Sequence, residues 1–352
     1  MTAESEIRRS FGGQAKSCDS LGSPFTARLC RLAASHLDRS TAVGEHILNW
    51  PGEPSANGDA LALRLAGALH ALVLAGHDER LAAVYPPHES SDEDLWAAVS
   101  SAFESHEALI LERLSSAPQT NEVRRSGILL PGFLTLSQLL GKPLVLSEIG
   151  SSAGLNLQWD RYGYDLGGLA WGDASSGVLI APQWEGAPPP AADIRIEERR
   201  GCDLNPLDAS SPADRLRLLS YIWADQTDRI ERTRAALSLA AANPPPVTRA
   251  DAVGWLAARL ESSYPGAIHV IYHSIVWQYL PVDARAEGER LISEAGARAT
   301  SEAPLAHLQM EADDRRDGAS VTLQVWPGGE SRELGRADFH GRWIKWAGWA
   351  SG

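Results

Sequence analysis

The stretch 143–157, PLVLSEIGSSAGLNL, constrains the fold of this chain more than any other. Leu144, Val145 and Leu146 form a short apolar run, Glu148 follows, and Gly150 and Gly154 bracket a turn. An apolar run before a glycine-rich turn and a helix start predicts a buried parallel strand entering a nucleotide-type loop. Glycine permits backbone angles closed to other residues and lets a ligand approach the main chain. The N–H groups of a helix start attract polar or anionic ligand groups. Glu148, Gly150, Ser152, Gly154 and Asn156 are therefore candidate ligand-binding residues.

Two functional patterns match this turn by letter. Glu148-x-Gly150-x-x-x-Gly154 fits the cofactor loop of an S-adenosylmethionine-type Rossmann domain. Gly150-x-Ser152-x-Gly154 fits the nucleophile elbow of a hydrolase, with Ser152 as nucleophile. A plain strand-to-helix turn without a ligand is the third reading. What precedes the turn separates them. Residues 1 to about 22 read as a frayed lead-in. Ser23 and Pro24 start a helix along Phe25, Leu29 and Leu32. Leu61, Leu65, Leu69 and Leu72 mark a second, and Leu95, Val99, Phe103 and Leu114 a third. The apolar stretch 127–141 reads as helical beyond Pro131 and Gly132. Hydrolase elbows follow several strands and an HGGG-type segment, and neither is present. The cofactor reading is preferred and the Ser152 hydrolase kept as the lesser alternative.

Composition bounds the partners. The chain has 352 residues with 44% hydrophobic and 22% charged content, enough for a sizeable core. A net charge of −13 argues against duplex nucleic acid or an anionic membrane as the main partner. No apolar run reaches the roughly 18 residues of a membrane span. Three cysteines without metal-ligand spacing, and an opening MTAESEIRRSFGG without a signal-peptide core, predict a cytoplasmic protein. The ten histidines show no metal spacing.

After the turn, 163–192 is rich in Gly, Pro and Trp and reads as an inserted hairpin or lid. Ile194 and Ile196 then alternate with charge up to Asp203, where an acidic residue at the end of a second strand can accept ribose hydroxyls. Asp165 lies closer but leaves too short a crossover. Asp203-x-Asn205-Pro206 also fits a turn whose side chains bond their own backbone. Ser211 and Pro212 open a helix with Leu216, Leu219, Trp223, Ile230 and Leu237 on one face, stopped by Asn243 and the prolines after it. Asp251 either caps the next helix or offers a carboxylate to an adenine. Residues 268–272 form a buried strand that delivers His273, Trp277, Gln278 and Tyr279 to the carboxyl end of the sheet, where ligands bind in open α/β folds. His273 is a candidate base, or a hydrogen-bonded structural histidine. Asp283 is expected to cap a helix to about Arg298. Strands are expected over 304–311 and 320–326, with a last one within 332–346.

Together, EIGSSAGLNLQWDRY, GCDLNPLD, YHSIVWQYLP, VWPGGE and HGRW resemble a bacterial family known as domain of unknown function 2332, over nearly the whole chain. That name carries no activity. The order of elements after residue 141 resembles class I S-adenosylmethionine-dependent methyltransferases. The resemblance implies that Glu148, Gly150 and Gly154 hold the methionine and ribose part of the cofactor, and that Asp203 binds ribose. It implies further that Asp251 lies on the adenine side and that 273–279 replaces the catalytic loop. The Asn/Asp-Pro-Pro-aromatic motif of amino-group methyltransferases is missing, and Ser152 stands where many members have glycine.

The expected fold is α/β, a Rossmann-like methyltransferase-type sheet, mostly parallel with a C-terminal antiparallel hairpin. A mainly helical region over 1–140 precedes an α/β domain over 141–352, with an insertion at 163–192. The expected function is S-adenosylmethionine-dependent methylation of a small molecule. His273 and Tyr279 would be catalytic, Trp277 and Gln278 would contact substrate, and Glu148, Gly150, Ser152, Gly154, Asn156, Asp203 and Asp251 would hold the cofactor. A non-catalytic cofactor-binding module of the same fold is the alternative.

Overall fold

The computed structural model describes residues 3–349. In chain order the helices are α1 (Ala3–Ser20), α2 (Pro24–His36), α3 (Ala42–Leu48), α4 (Leu61–Leu74), α5 (Glu79–Ala82), α6 (Asp92–Ser105), α7 (Glu107–Leu114), α8 (Ser126–Leu140), α9 (Pro212–Ser220), α10 (Thr227–Ala242), α11 (Ala252–Glu261) and α12 (Val282–Arg298). The strands are β1 (Leu144–Ile149), β2 (Gly163–Leu166), β3 (Leu169–Gly172), β4 (Leu179–Ile180), β5 (Gln183–Glu185), β6 (Ile196–Asp203), β7 (Val247–Arg249), β8 (Ile268–Ser274), β9 (Leu305–Glu311), β10 (Ala319–Trp326), β11 (Glu330–Ala337) and β12 (Trp343–Trp346).

The chain forms two compact units. The first takes in the chain up to Thr120 together with Ser211–Arg234, and the second takes in Asn121–Ser210 together with the chain from Ala235 on. The first unit is helical, around buried Ile7, Phe11, Leu29, Leu65, Leu69, Val99 and Phe103. The segment read as a frayed lead-in is α1, from Ala3 on; residues 1 and 2 lie outside the described residues. Ile7, Phe11, Ala15 and Cys18 recur at helical spacing on its buried face, and this packing outweighs the low propensity of the adjacent Gly12 and Gly13. The third expected helix is broken at His106 into α6 and α7. The helix from Pro212 stops at Ser220 and a second begins at Thr227. Ser23 does not cap α2 with its side chain. Its hydroxyl donates to Asp225 instead, and the same carboxylate accepts the Phe25 N–H at 2.8 Å.

The second unit is α/β, built on a nine-stranded, mostly parallel sheet of order β5-β12-β11-β10-β9-β8-β1-β6-β7. The strands β7, β6, β1, β8 and β9 pair in parallel. Every residue of β1 is buried, as expected of a parallel strand covered on both faces. The parallel run ends in three antiparallel pairings, β9 with β10, β10 with β11 and β11 with β12, rather than one closing hairpin. The expected insertion supplies a small sheet, β3-β2-β4, and the edge strand β5, which pairs in parallel with β12. The helix expected after the glycine turn is a 3-10 segment, Leu155–Arg161. Helix α12 starts at Val282 with no side-chain cap, so Asp283 sits within its first turn instead of capping it.

Alternation along β8 divides the two faces. Ile271 joins Leu256 and Leu260 of α11 and Ile292 of α12 in one core cluster. Tyr272 turns the other way, edge-on to Phe133 of α8 at 5.2 Å, and Phe133 stacks on Trp159 at 4.7 Å. Among the described residues no helix is long and apolar enough to cross a membrane.

Candidate functional site

The turn after β1 lies where the connections diverge, β6 and β7 following on one side and β8 and β9 on the other. Such switch points open a crevice beyond the carboxyl ends of the strands. Gly150 and Gly154 have φ of 72° and 69°, the left-handed region that favours glycine. Their missing side chains are matched by protein atoms. A Cβ on Gly150 would lie 2.4 Å from Val276, and one on Gly154 2.5 Å from Pro245.

The backbone of the turn is closely tied. The N–H groups of Gly150 and Ser151 both donate to the Cys202 carbonyl, and that of Gly154 donates to Ser151. Ser152 donates its N–H to Asp203 Oδ2 at 2.9 Å, and Leu155 donates to Asn121 Oδ1 at 2.9 Å. The second oxygen of Asp203 accepts the Asn205 N–H at 2.8 Å. Asp203 thus makes the local turn that its spacing to Asn205 predicts, and it also clamps the glycine turn. Ser152 itself is 3% exposed, with φ of 53°.

Below the turn Glu148 is buried, and burial, helped by the charge of Asp203, raises its pKa from 4.5 to about 8 against a hydrogen bond from Ser151. Among the described residues its Oε2 has no hydrogen-bond partner, and neither has the buried Oδ1 of Asn156. The side-chain amide of Asn156 donates to the Glu122 carbonyl at 3.2 Å, and the backbone carbonyl of Asn156 accepts from the Tyr272 hydroxyl. Burial also pushes the Cys202 thiol up to about 12.

His273 lies elsewhere. In the parallel register it is the Cα partner of Ile149, whereas Glu148 partners Tyr272. Glu148 and His273 therefore face opposite sides of the sheet. The ring of His273 is fully buried. Its Nδ1 lies 2.7 Å from Glu311 Oε1 and its Nε2 2.9 Å from His307 Nε2. A carboxylate only accepts, so Nδ1 of His273 carries the proton and donates to Glu311. Nε2 of His273 faces Nε2 of His307, whose pKa burial and the neighbouring His273 hold well below the usual histidine value. Both nitrogens of His273 are thus engaged, and a substrate proton can reach the ring only through Glu311 or His307. Trp277 stacks on His273 with centroids 4.5 Å apart. Val276 and Trp277 add their N–H groups to Glu311 Oε1, at 3.0 and 3.2 Å.

The structure thus gathers Glu148, Gly150, Ser152, Gly154, Asn156 and Asp203 around one turn, and His273 and Trp277 around Glu311. It does not join the two groups into one set of converging side chains. Tyr279 is 73% exposed and Gln278 is exposed as well. Asp251 is an exposed N-cap of α11, accepting the Gly254 N–H at 2.8 Å. Glu311 and His307 were missed from sequence. The available signal was an acidic residue ending a strand whose carboxyl end faces the crevice. Among the described residues no group of three or more His, Cys, Asp or Glu side chains is placed to hold a metal ion.

No curated protein and no solved structure matches the chain. A family model described as an uncharacterized protein conserved in bacteria (DUF2332) matches residues 8–346, and the chain belongs to that family.

Proposed function

We propose that the second unit binds S-adenosylmethionine at the Gly150–Gly154 turn and that the chain is a methyltransferase for a small molecule. The observation that carries this reading is where the turn sends its N–H groups. Those of Gly150, Ser151, Ser152, Gly154 and Leu155 all go to protein acceptors. A pyrophosphate cradle needs such groups turned toward the ligand. A turn that has already used them suits a cofactor without phosphate, recognised through hydroxyls, an amine and a ring. The acceptors left over, Glu148 Oε2 and Asn156 Oδ1, suit donors of that kind. The parallel order β7-β6-β1-β8-β9 supports the same reading, because it is the doubly wound 3-2-1-4-5 order.

The fit has a boundary. Asp203 already accepts two backbone N–H groups, so a ribose would have to use its remaining lone pairs. The space above Gly150 and Gly154 is taken by Val276 and Pro245, so the glycines serve packing as well. When bound, the cofactor supplies an electrophilic methyl on a sulfonium. The chain contributes orientation and exclusion of water, with Asp203 fixing the turn and Glu148 staying protonated up to pH about 8.

A non-catalytic module of this fold is the second reading. It is favoured by the closed hydrogen bonding of His273 and the exposure of Tyr279, the two residues expected to be catalytic. Calorimetric titration with S-adenosylmethionine and S-adenosylhomocysteine, beside NAD and ATP, tests the cofactor. Selective binding of the first two is expected, with loss in Asp203→Ala. Binding of neither, or preference for NAD or ATP, overturns the proposal. Transfer of the methyl group to any component of a metabolite extract then separates enzyme from module.

A further inference from the structure

A cavity of about 530 Å³ opens on the α12 side of the sheet, away from Glu148, within the usual size range of small-ligand pockets. Trp277, Arg285, Glu289, Gln309, Glu311 and Thr322 line it. Glu311 is 8% exposed. Its Oε1 receives three N–H donors, from His273, Val276 and Trp277. Its Oε2, also buried, receives none among the described residues. A buried acceptor left without a donor is unfavourable, and buried polar atoms are usually satisfied by protein, water or ligand.

The other charges sort themselves. Glu289 accepts the Trp277 indole N–H at 3.3 Å. Asp313, also on the cavity wall, is held by Arg336 at 2.6 and 3.0 Å. Arg285 is half-buried, and its guanidinium has no partner among the described residues. Its backbone N–H donates to Pro281, which only continues the helix. Among the described residues, once these pairs are formed, the cavity keeps the Arg285 guanidinium, the buried Oε2 of Glu311, and the amide of Gln309 and hydroxyl of Thr322. An anion alone would meet the carboxylates of Glu311 and Glu289. An amine alone would leave Arg285 unanswered. We propose that this cavity binds a small zwitterion of the amino-acid type, its carboxylate taken by Arg285 and its ammonium by Glu311.

This goes beyond the cofactor reading and does not depend on it, since the assay uses no cofactor. The full-length protein is titrated with the standard L-amino acids, and each one that binds is compared with its carboxamide and its N-acetyl derivative. At least one amino acid is expected to bind, with both derivatives weaker by on the order of tenfold or more, because each lacks one charge. Arg285→Ala should weaken binding by a similar factor and Arg285→Lys should recover part of it. Since the Arg285 guanidinium has no partner among the described residues, these variants should fold as the parent does. Glu311→Gln keeps an oxygen for the three N–H donors and replaces the free oxygen with a donor, so it should lose the ammonium preference. Three results overturn the proposal: no amino acid binds, the derivatives bind as tightly, or Arg285→Ala binds unchanged.

Discussion

Replacing Glu148 by glutamine should change how stability depends on pH, and the size of the change follows from burial. The Glu148 carboxyl has its pKa raised from 4.5 to about 8, chiefly by burial. In the unfolded chain it ionises near the lower value. The folded state therefore binds a proton that the unfolded state has lost between those two values. By linkage, the contribution of the protonated side chain is fully present below about pH 4.5 and is lost as pH rises toward about 8. At about 1.4 kcal/mol per pH unit the full loss is on the order of 5 kcal/mol. Roughly 3 to 4 kcal/mol of it falls between pH 5 and 8. Glu148→Gln is nearly isosteric and does not titrate. Urea unfolding of parent and variant at pH 5 and pH 8 cancels the other titrating groups in the difference. The variant should gain on the parent by roughly 3 to 4 kcal/mol on going from pH 5 to pH 8. A difference that stays constant across that interval would show that Glu148 ionises normally and that its buried, donor-free oxygen has been misread.

Two further outcomes follow from local geometry. Asp251→Ala removes the acceptor of the Gly254 N–H and should cost about 1 kcal/mol in urea unfolding. It should leave S-adenosylmethionine affinity unchanged; weakened affinity would return Asp251 to the adenine side. Phe11→Ala should cost about 3 to 5 kcal/mol in the helical unit, read as a lowered unfolding midpoint, because Phe11 is 1% exposed. A neutral effect would restore the reading of the first residues as a loose lead-in.

The sheet was legible where strands are apolar throughout. β1 and β8 show as runs bounded by turn residues, because burial on both faces leaves that mark; β9 and β10 are interrupted by polar residues and were placed by the turns around them. Helix α1 was not found, since its buried residues stand among charges and next to two glycines. The site was half legible. Spacing offered Asp203 as a ribose acceptor or a local turn, and Asp251 as a cap or an adenine contact; the turn and the cap are present, while the bond of Asp203 to Ser152 was not legible. Nor did spacing reveal that Glu148 and His273 lie on opposite faces. That depends on the register between β1 and β8, which neither strand encodes alone. The pairing of His273 with Glu311 and His307 depends in the same way on the register of β8 with β9.

The capping of α2 by Asp225 bears on how the protein is made. Ser23 and Phe25 emerge from the ribosome some 200 residues before the carboxylate they bond. During synthesis the helical unit waits for Ser211–Arg234 while most of the first half of the sheet is being translated. A fragment ending near residue 140 would carry α2 without its cap and the core without Trp223, which packs against it. Any attempt to express that unit alone needs the later segment supplied, either by circular permutation or as a second chain.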